Sequence, residues 1–270
     1  MLTKAELKQI HDLQRSRERQ RLGLFVCEGH KLIGDMLGAY ICKLLIAERS
    51  AYEALRSRVE ELPRSGQPER IELVEPSFDF GRISSLRTPQ PALAVFALPE
   101  YEEQLPEPRG LALLLDDVQD PGNVGTLLRT ADWFGLSAVY LSPASADPYS
   151  PKVLQATMGA MSRLRVIRLS DTESFLRSYP GEVLGTFLSG DNLYTLPPAD
   201  SLAPRLLVLG NEGNGISSVV AQYVTQRITI PAYAPAATGS ESLNVAIAGA
   251  VCLSELRRGE QITSPDIKHE

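Results

Sequence analysis

Residues 110–141 read GLALLLDDVQDPGNVGTLLRTADWFGLSAVYL, and this stretch decides the fold. Leu111–Leu115 is an unbroken apolar run, the signature of a strand covered on both faces. After a polar turn, Val124, Leu127, Leu128, Ala131 and Phe134 recur at helical spacing until Gly135 stops the segment, and Asn123 reads as a plausible cap. A second apolar run, 138–141, follows. Strand, helix and strand in so short a span form a βαβ unit, which places two parallel strands side by side.

Working downstream, apolar runs at 164–167, 183–188, 206–209 and 228–230 continue the alternation. A final helix is expected at about 243–258, with Leu243, Ile247, Ala250, Val251 and Leu256 as its buried stripe. Residues 110–270 therefore read as an α/β domain, a parallel sheet flanked by helices. Upstream, LPEYEEQLPEPR at 98–109 combines proline with like charges and suits neither helix nor strand, so it is read as a linker. Before it, apolar runs at Leu24–Cys27, Ile41–Ala47 and Ala92–Ala97 alternate with helical stretches at 3–13, 30–38 and 50–61. Residues 1–97 read as a small α/β domain.

The chain has 270 residues, 43% hydrophobic and 22% charged, with a net charge of -6, a balance that excludes disorder as its main state. Cys27, Cys42 and Cys252 are odd in number and sit in apolar stretches, which fits reduced core thiols and a cytoplasmic protein better than disulfides or a metal site. No metal is expected. Neither an apolar leader nor a membrane-length run is present, so no membrane partner is expected. Residues 1–97 carry 15 Lys and Arg against 13 Asp and Glu, the remainder 12 against 20. Arg15, Arg17, Arg19, Arg21 and Lys31 concentrate the positive charge near the start, either as a solvated helix face or as a phosphate-binding face.

In an open parallel sheet, ligands bind beyond the carboxyl ends of the strands, so the loops there are the place to look for chemistry. Asp116–Arg129 is the first, readable either as a well-capped turn or as an anion site at a helix N-terminus. The second, Gly210–Ser217, has the G-x-x-x-x-G spacing of a phosphate loop, but Ile216 stands where the nucleotide-binding lysine belongs, which disfavours a nucleotide hydrolase. What remains is a bend with exposed amides and one carboxylate, Glu212. A third loop, Ile230–Asn244, leads into the last helix, with Ser240 or Ser242 as candidate cap and Asn244 without an assigned structural role. His11, His30 and His269 are not paired at metal-ligand spacing, and the sheet domain holds only His269, which disfavours a histidine-based triad.

In chain order, DPGNVGTLLRTADWFG, LVLGNEGNGIS and IPAY…SESLNVAIAGAV resemble the three motifs of the SpoU (TrmH-like) branch of the SPOUT RNA methyltransferases. SPKVLQATMGAM at 150–161 resembles the family between the first two motifs, and RERQRLGLFVCEGHKLIGDML resembles the substrate-binding domain of rRNA-directed members. One departure is the loop between Pro231 and Ser242, which is longer than usual and opens with Ala232 and Tyr233 in place of Met-x-Gly.

The resemblance implies a Rossmann-like sheet with a C-terminal trefoil knot, a homodimer, and S-adenosylmethionine bound by Leu209, Gly210, Asn211, Glu212, Gly215, Ile230, Ser242, Leu243 and Asn244. It implies methyl transfer to a ribose 2′-hydroxyl of RNA, with 23S rRNA as the expected substrate; a tRNA substrate, or an inactive RNA-binding member, is the alternative. Arg129, Asn123, Glu212, Ser242 and Asn244 are the implied catalytic set. Arginine keeps its proton up to a pH of about 12, so Arg129 is expected to bind the neighbouring phosphate and stabilise the developing alkoxide, leaving the proton to phosphate or water. RNA docking is expected on Arg15, Arg17, Arg19, Arg21 and Lys31.

Overall fold

The computed structural model describes residues 2–99, 107–197, 202–233 and 242–258. Most of the expected linker at 98–109, the candidate cap Ser240, and residues 259–270 lie outside them.

The first part of the chain builds a four-stranded sheet from β1 (Leu24–Glu28), β2 (Cys42–Glu48), β3 (Ile71–Val74) and β4 (Ala92–Ala97). Its order is β1-β4-β2-β3, with only the β2–β3 pair parallel. Strand alternation sends Phe25, Cys27, Leu45 and Phe96 towards α3 (His30–Met36) and α4 (Arg49–Glu61). Val26, Ile46 and Val95 point the other way, to α1 (Lys4–Asp12). Thr3 and Glu6 form a reciprocal cap at the start of α1. Sequence reading passed over β3 because this edge strand leaves Ile71 and Leu73 exposed, so its pattern carries no buried face. The arginine-rich stretch read as a solvated helix face or a phosphate-binding face is a helix, α2 (Ser16–Leu22), but not a wholly solvated one, because it buries Arg19.

The second sheet contains six parallel strands, β5 (Leu111–Leu115), β6 (Val139–Leu141), β7 (Val166–Arg168), β8 (Glu182–Asn192), β9 (Arg205–Leu209) and β10 (Gln226–Thr229). Their order is β10-β8-β9-β5-β6-β7. All six apolar runs read from the sequence are strands. One face packs against α5 (Pro121–Trp133), α6 (Pro151–Thr157) and α9 (Val245–Leu256), the other against α7 (Thr172–Ser178) and α8 (Ser218–Ala221). From β5 the chain winds outward to β7, then returns to lay β9 on the other side of β5. The crevice beyond β5 and β9 is therefore the topological switch point, where a ligand site is expected.

No hinge gap separates the two sheets. The core of α3 and α4 runs without a break into that of α5, α6 and α9. The Phe25 and Tyr149 rings meet at 5.0 Å, the Tyr40 hydroxyl donates to Met161 O at 3.1 Å, and Gln155 Nε2 donates to Glu28 O at 2.9 Å.

The expected stripe of the last helix is corrected. Val245, Ala246, Gly249, Cys252 and Leu253 face inward, whereas Leu243 and Ile247 are half exposed and Ala250, Val251 and Leu256 are intermediate. Because α9 is apolar nearly all round, periodicity could not tell its two faces apart. The inward face lies against α5, where a Cβ on Gly249 would stand 2.5 Å from a Leu127 methyl. Asn244 bonds Asn123 at one end of the pair and Arg257 bonds Gly135 O at the other, so α5 and α9 run parallel.

Candidate active site

Asp120 caps α5: its carboxylate accepts from Asn123 N at 2.9 Å. This corrects the expectation that Asn123 is the cap. Standing at the third helical position instead, Asn123 has its side chain available, and its Nδ2 donates to Glu212 Oε1 at 2.9 Å. The same carboxylate oxygen accepts from Asp120 N at 3.4 Å. On its other side, Asn123 Oδ1 accepts from Asn244 Nδ2 at 3.0 Å. Asn244 Oδ1 in turn takes the free amides of Ala246 and Ile247, so it, and not Ser240 or Ser242, caps α9.

Glu212, Asn123 and Asn244 thus form one relay through loops that are remote in sequence. Each asparagine uses both ends of its amide, which fixes the rotamer of its neighbour. Two parallel helices also end here, with the positive poles of their dipoles directed at one spot.

The glycine-rich bend is ordered from within. Asn211 and Gly215 exchange backbone hydrogen bonds at 2.9 Å, and Asn211 Oδ1 accepts from Gly213 N and Asn214 N. The amides expected to be open to a ligand are therefore partly taken by Asn211, which shapes the bend. Its Nδ2 anchors the bend to Asp117 O at 2.8 Å. Below it, Asp116 accepts from Ser217 N at 2.7 Å, and burial raises its carboxyl above the usual range. A Cβ on Gly210 would stand 2.2 Å from Gly215 C and Ile216 N, so only glycine permits this closure.

Leu209 is fully buried at the end of β9, against Gly249 of α9, and Ile230 is partly buried beyond β10. Ser242 and Leu243 are exposed beside Asn244. Arg129 is not part of the relay. It is exposed on α5, on a flank with Gly125 and Asp132, and has no hydrogen-bond or ion-pair partner among the described residues. Lys152, missed by sequence reading, stands 3.8 Å from the Asp120 carboxylate at the mouth of the site. Its signal lay in SPKVLQATMGAM, which has no feature of a binding loop when read alone.

The expected docking face of the first part is dispersed. Arg19 is buried, with Nε and Nη2 on Asp147 at 3.0 and 2.5 Å and Nη1 on Leu13 O and Gln14 O at 2.8 Å. It joins the two halves of the molecule and presents nothing to solvent. Arg21 pairs with Glu18 and Arg15 lies 3.6 Å from Asp12, both at the surface; Arg17 is exposed. Lys31 faces a separate cleft.

Residues 110–254 match the SpoU rRNA Methylase family, more than half of the chain. The chain belongs to this family. Residues 4–94 of this SpoU family member match the MRM3-like substrate binding domain. The chain is 32% identical over 258 residues to the 23S rRNA (guanosine(2553)-2'-O)-methyltransferase RlmP of Bacillus subtilis, covering 93% of this chain and 96% of that one. Among solved structures, it is similar to a TrmH-family protein of Porphyromonas gingivalis, with 45% identity, TM-score 0.85 and coverage of 96% and 99%. It is also similar to an AdoMet-bound rRNA methyltransferase of Sinorhizobium meliloti, with 29% identity, TM-score 0.79 and 97% coverage of both chains. No helix among the described residues is long and apolar enough to cross a membrane.

Proposed function

We propose that this SpoU family member transfers a methyl group from S-adenosylmethionine to a ribose 2′-hydroxyl of RNA, with 23S rRNA as substrate, in the cytoplasm. The observation that carries this reading is the relay from Glu212 through Asn123 to Asn244, which ties the three family loops together at the switch point of the sheet. Residues 1–97 would serve as the RNA-binding domain and 110–270 as the methyltransferase domain. The return of α9 onto α5 and Leu209 supports the family's trefoil knot.

The residues present suit the cofactor. Ile230 offers partly buried apolar surface to a nucleoside and Leu209 its backbone at the end of β9, while Gly210 and Gly215 bring backbone close without a side chain in the way. Glu212 supplies a carboxylate beside which a positively charged sulfonium is stabilised. Ser242, Leu243 and Asn244 close the remaining side. S-adenosylmethionine supplies an activated methyl group, so the protein has mainly to align the hydroxyl and manage its proton. Asn123 positions the ribose, with its amide held by the relay. Arg129 binds the phosphate next to the target nucleotide and stabilises the alkoxide as it forms, and the proton passes to phosphate or water.

Leu243, 51% exposed just before α9, and Ile247 and Trp133, 54% and 83% exposed on α9 and α5, leave apolar surface towards opposite ends of this helix pair. Covering it with a second copy supports a homodimer.

Titration calorimetry with S-adenosylmethionine, followed by transfer of labelled methyl to an unmodified 23S rRNA transcript, tests the reading. Saturable binding and alkali-resistant ribose label are expected; absence of cofactor binding would end it. In the same assay, Gly210→Ala is expected to weaken cofactor binding at least about tenfold, because opening the bend to admit the methyl costs roughly 1–3 kcal/mol. Unchanged affinity would remove the glycine-rich bend from the cofactor site.

A further inference from the structure

A cleft of about 650 Å³ opens between the first sheet's helices α3 and α4 and the turn that follows α6. Three cations line it, Lys31, Arg58 and Arg163, against one carboxylate, Asp35. Its walls are in firm contact, since a Cβ on Gly159 would stand 2.2 Å from Asp35 Oδ2. Arg58 donates to Gly34 O at 3.3 Å and Leu37 O at 3.0 Å, neutral acceptors that fix the guanidinium without cancelling its charge. Arg163 is held by Asp132 at 2.7 Å, and exposed Lys31 has no ion-pair partner among the described residues.

Helix α6 lies between the candidate active site and the cleft. Lys152 at one end of that helix stands beside Asp120, itself bonded to Glu212. Gln155, one turn on, donates to Glu28 O, two residues before His30 at the cleft's edge. Ser162 and Arg163, five and six residues past the helix, form part of the cleft wall. The cleft end of this path, Arg163 on Asp132, stands twelve residues of α5 from Asp120, about 18 Å along the helix.

Arg129 lies along the same path. Gly125, Arg129 and Asp132 occupy one flank of α5 at spacings of four and three residues. Gly125 packs on Ala156 of α6, and Asp132 holds Arg163, so Arg129 lies between these two contacts. Lys152 beside Asp120, Arg129, Arg163 on Asp132, and Lys31 thereby mark a line of cations from the site to the cleft, of which Arg129 and Lys31 have no ion-pair partner among the described residues. In a chain of net charge -6, a polyanion needs such a local path.

We propose that this cleft binds the phosphodiester backbone of the RNA strand whose target nucleotide lies in the active site, a proposal that rests on the function proposed above. The cleft acts in place of the arginine-rich α2, whose most central arginine is buried.

The test compares wild type, Lys31→Ala/Arg163→Ala and Arg15→Ala/Arg17→Ala, using an unmodified 23S rRNA transcript across a salt series. For the cleft variant, KM for RNA is expected to rise about tenfold at 0.15 M salt, and the log–log salt slope to shrink by about 1.4, two single-strand phosphate contacts. Its affinity for S-adenosylmethionine and its melting profile should match wild type, which excludes a folding defect. Inorganic phosphate at millimolar concentration should compete with RNA for the wild type. A cleft variant with unchanged KM and slope overturns the proposal, as does a slope that changes only in the Arg15/Arg17 variant. Phosphate binding lost in the cleft variant while its RNA affinity is intact also overturns it, by showing a small-anion site. A wild type that methylates no rRNA overturns the functional reading and this proposal together, whereas an active wild type with an indifferent cleft variant overturns this proposal alone.

Discussion

Arg129→Lys is expected to lose methyl transfer by about 100- to 1,000-fold while binding S-adenosylmethionine as tightly as the parent, the scale of removing one preorganised charge stabiliser. Lysine keeps the positive charge, so a role in general electrostatic attraction would survive the change. It cannot present two parallel N–H donors to a phosphate or an alkoxide, and its ammonium is a strongly hydrated point charge. Arg129 is exposed and has no partner among the described residues, so the substitution leaves the core and the relay untouched. A single-turnover assay at saturating RNA and cofactor isolates the chemical step. Undiminished turnover would remove Arg129 from the mechanism and leave Glu212, Asn123 and Asn244 as the groups to pursue.

The second large effect is on stability. Arg19→Met should destabilise the protein by about 3–5 kcal/mol, the usual cost of removing one partner from a buried ion pair. The side chain of Arg19 is only 3% exposed and that of Asp147 15%, so water cannot take over the lost contacts well. Asp147 keeps the Ser16 hydroxyl at 2.9 Å, but Leu13 O and Gln14 O lose their donor. At a few degrees per kcal/mol for a chain of this size, the melting midpoint should fall by about 10 °C. Thermal or urea melts measure this. A melt like that of wild type with a weakened RNA salt slope would reverse the assignment and return Arg19 to the docking surface.

Arg19 also shows where reading a sequence reaches its limit. Four arginines in seven residues look alike on paper, and nothing local marks the one that a carboxylate more than 120 positions away draws inward. The six strands of the parallel sheet were legible because burial on both faces leaves continuous apolar runs. β3 was not, being short and half exposed at an edge. Within the site, the residues were legible through their motifs and their partners were not. Asn123 and Asn244 suggested caps or ligands, but the bond between them depends on α9 coming back to lie parallel to α5. No period in either segment encodes that return. The outward side of α9 was misread for a related reason: an all-apolar helix has no polar side to give its orientation away.

The joint core beneath the two sheets bears on attempts to change target choice by chimera. A graft that exchanges only residues 1–97 for those of another relative would set a foreign surface against Tyr149, Gln155, Asp147 and Met161, and each of these has its counterpart upstream. Such hybrids should misfold or aggregate unless the 147–161 segment travels with the transplanted piece. Target preference in this architecture is therefore inherited as a block.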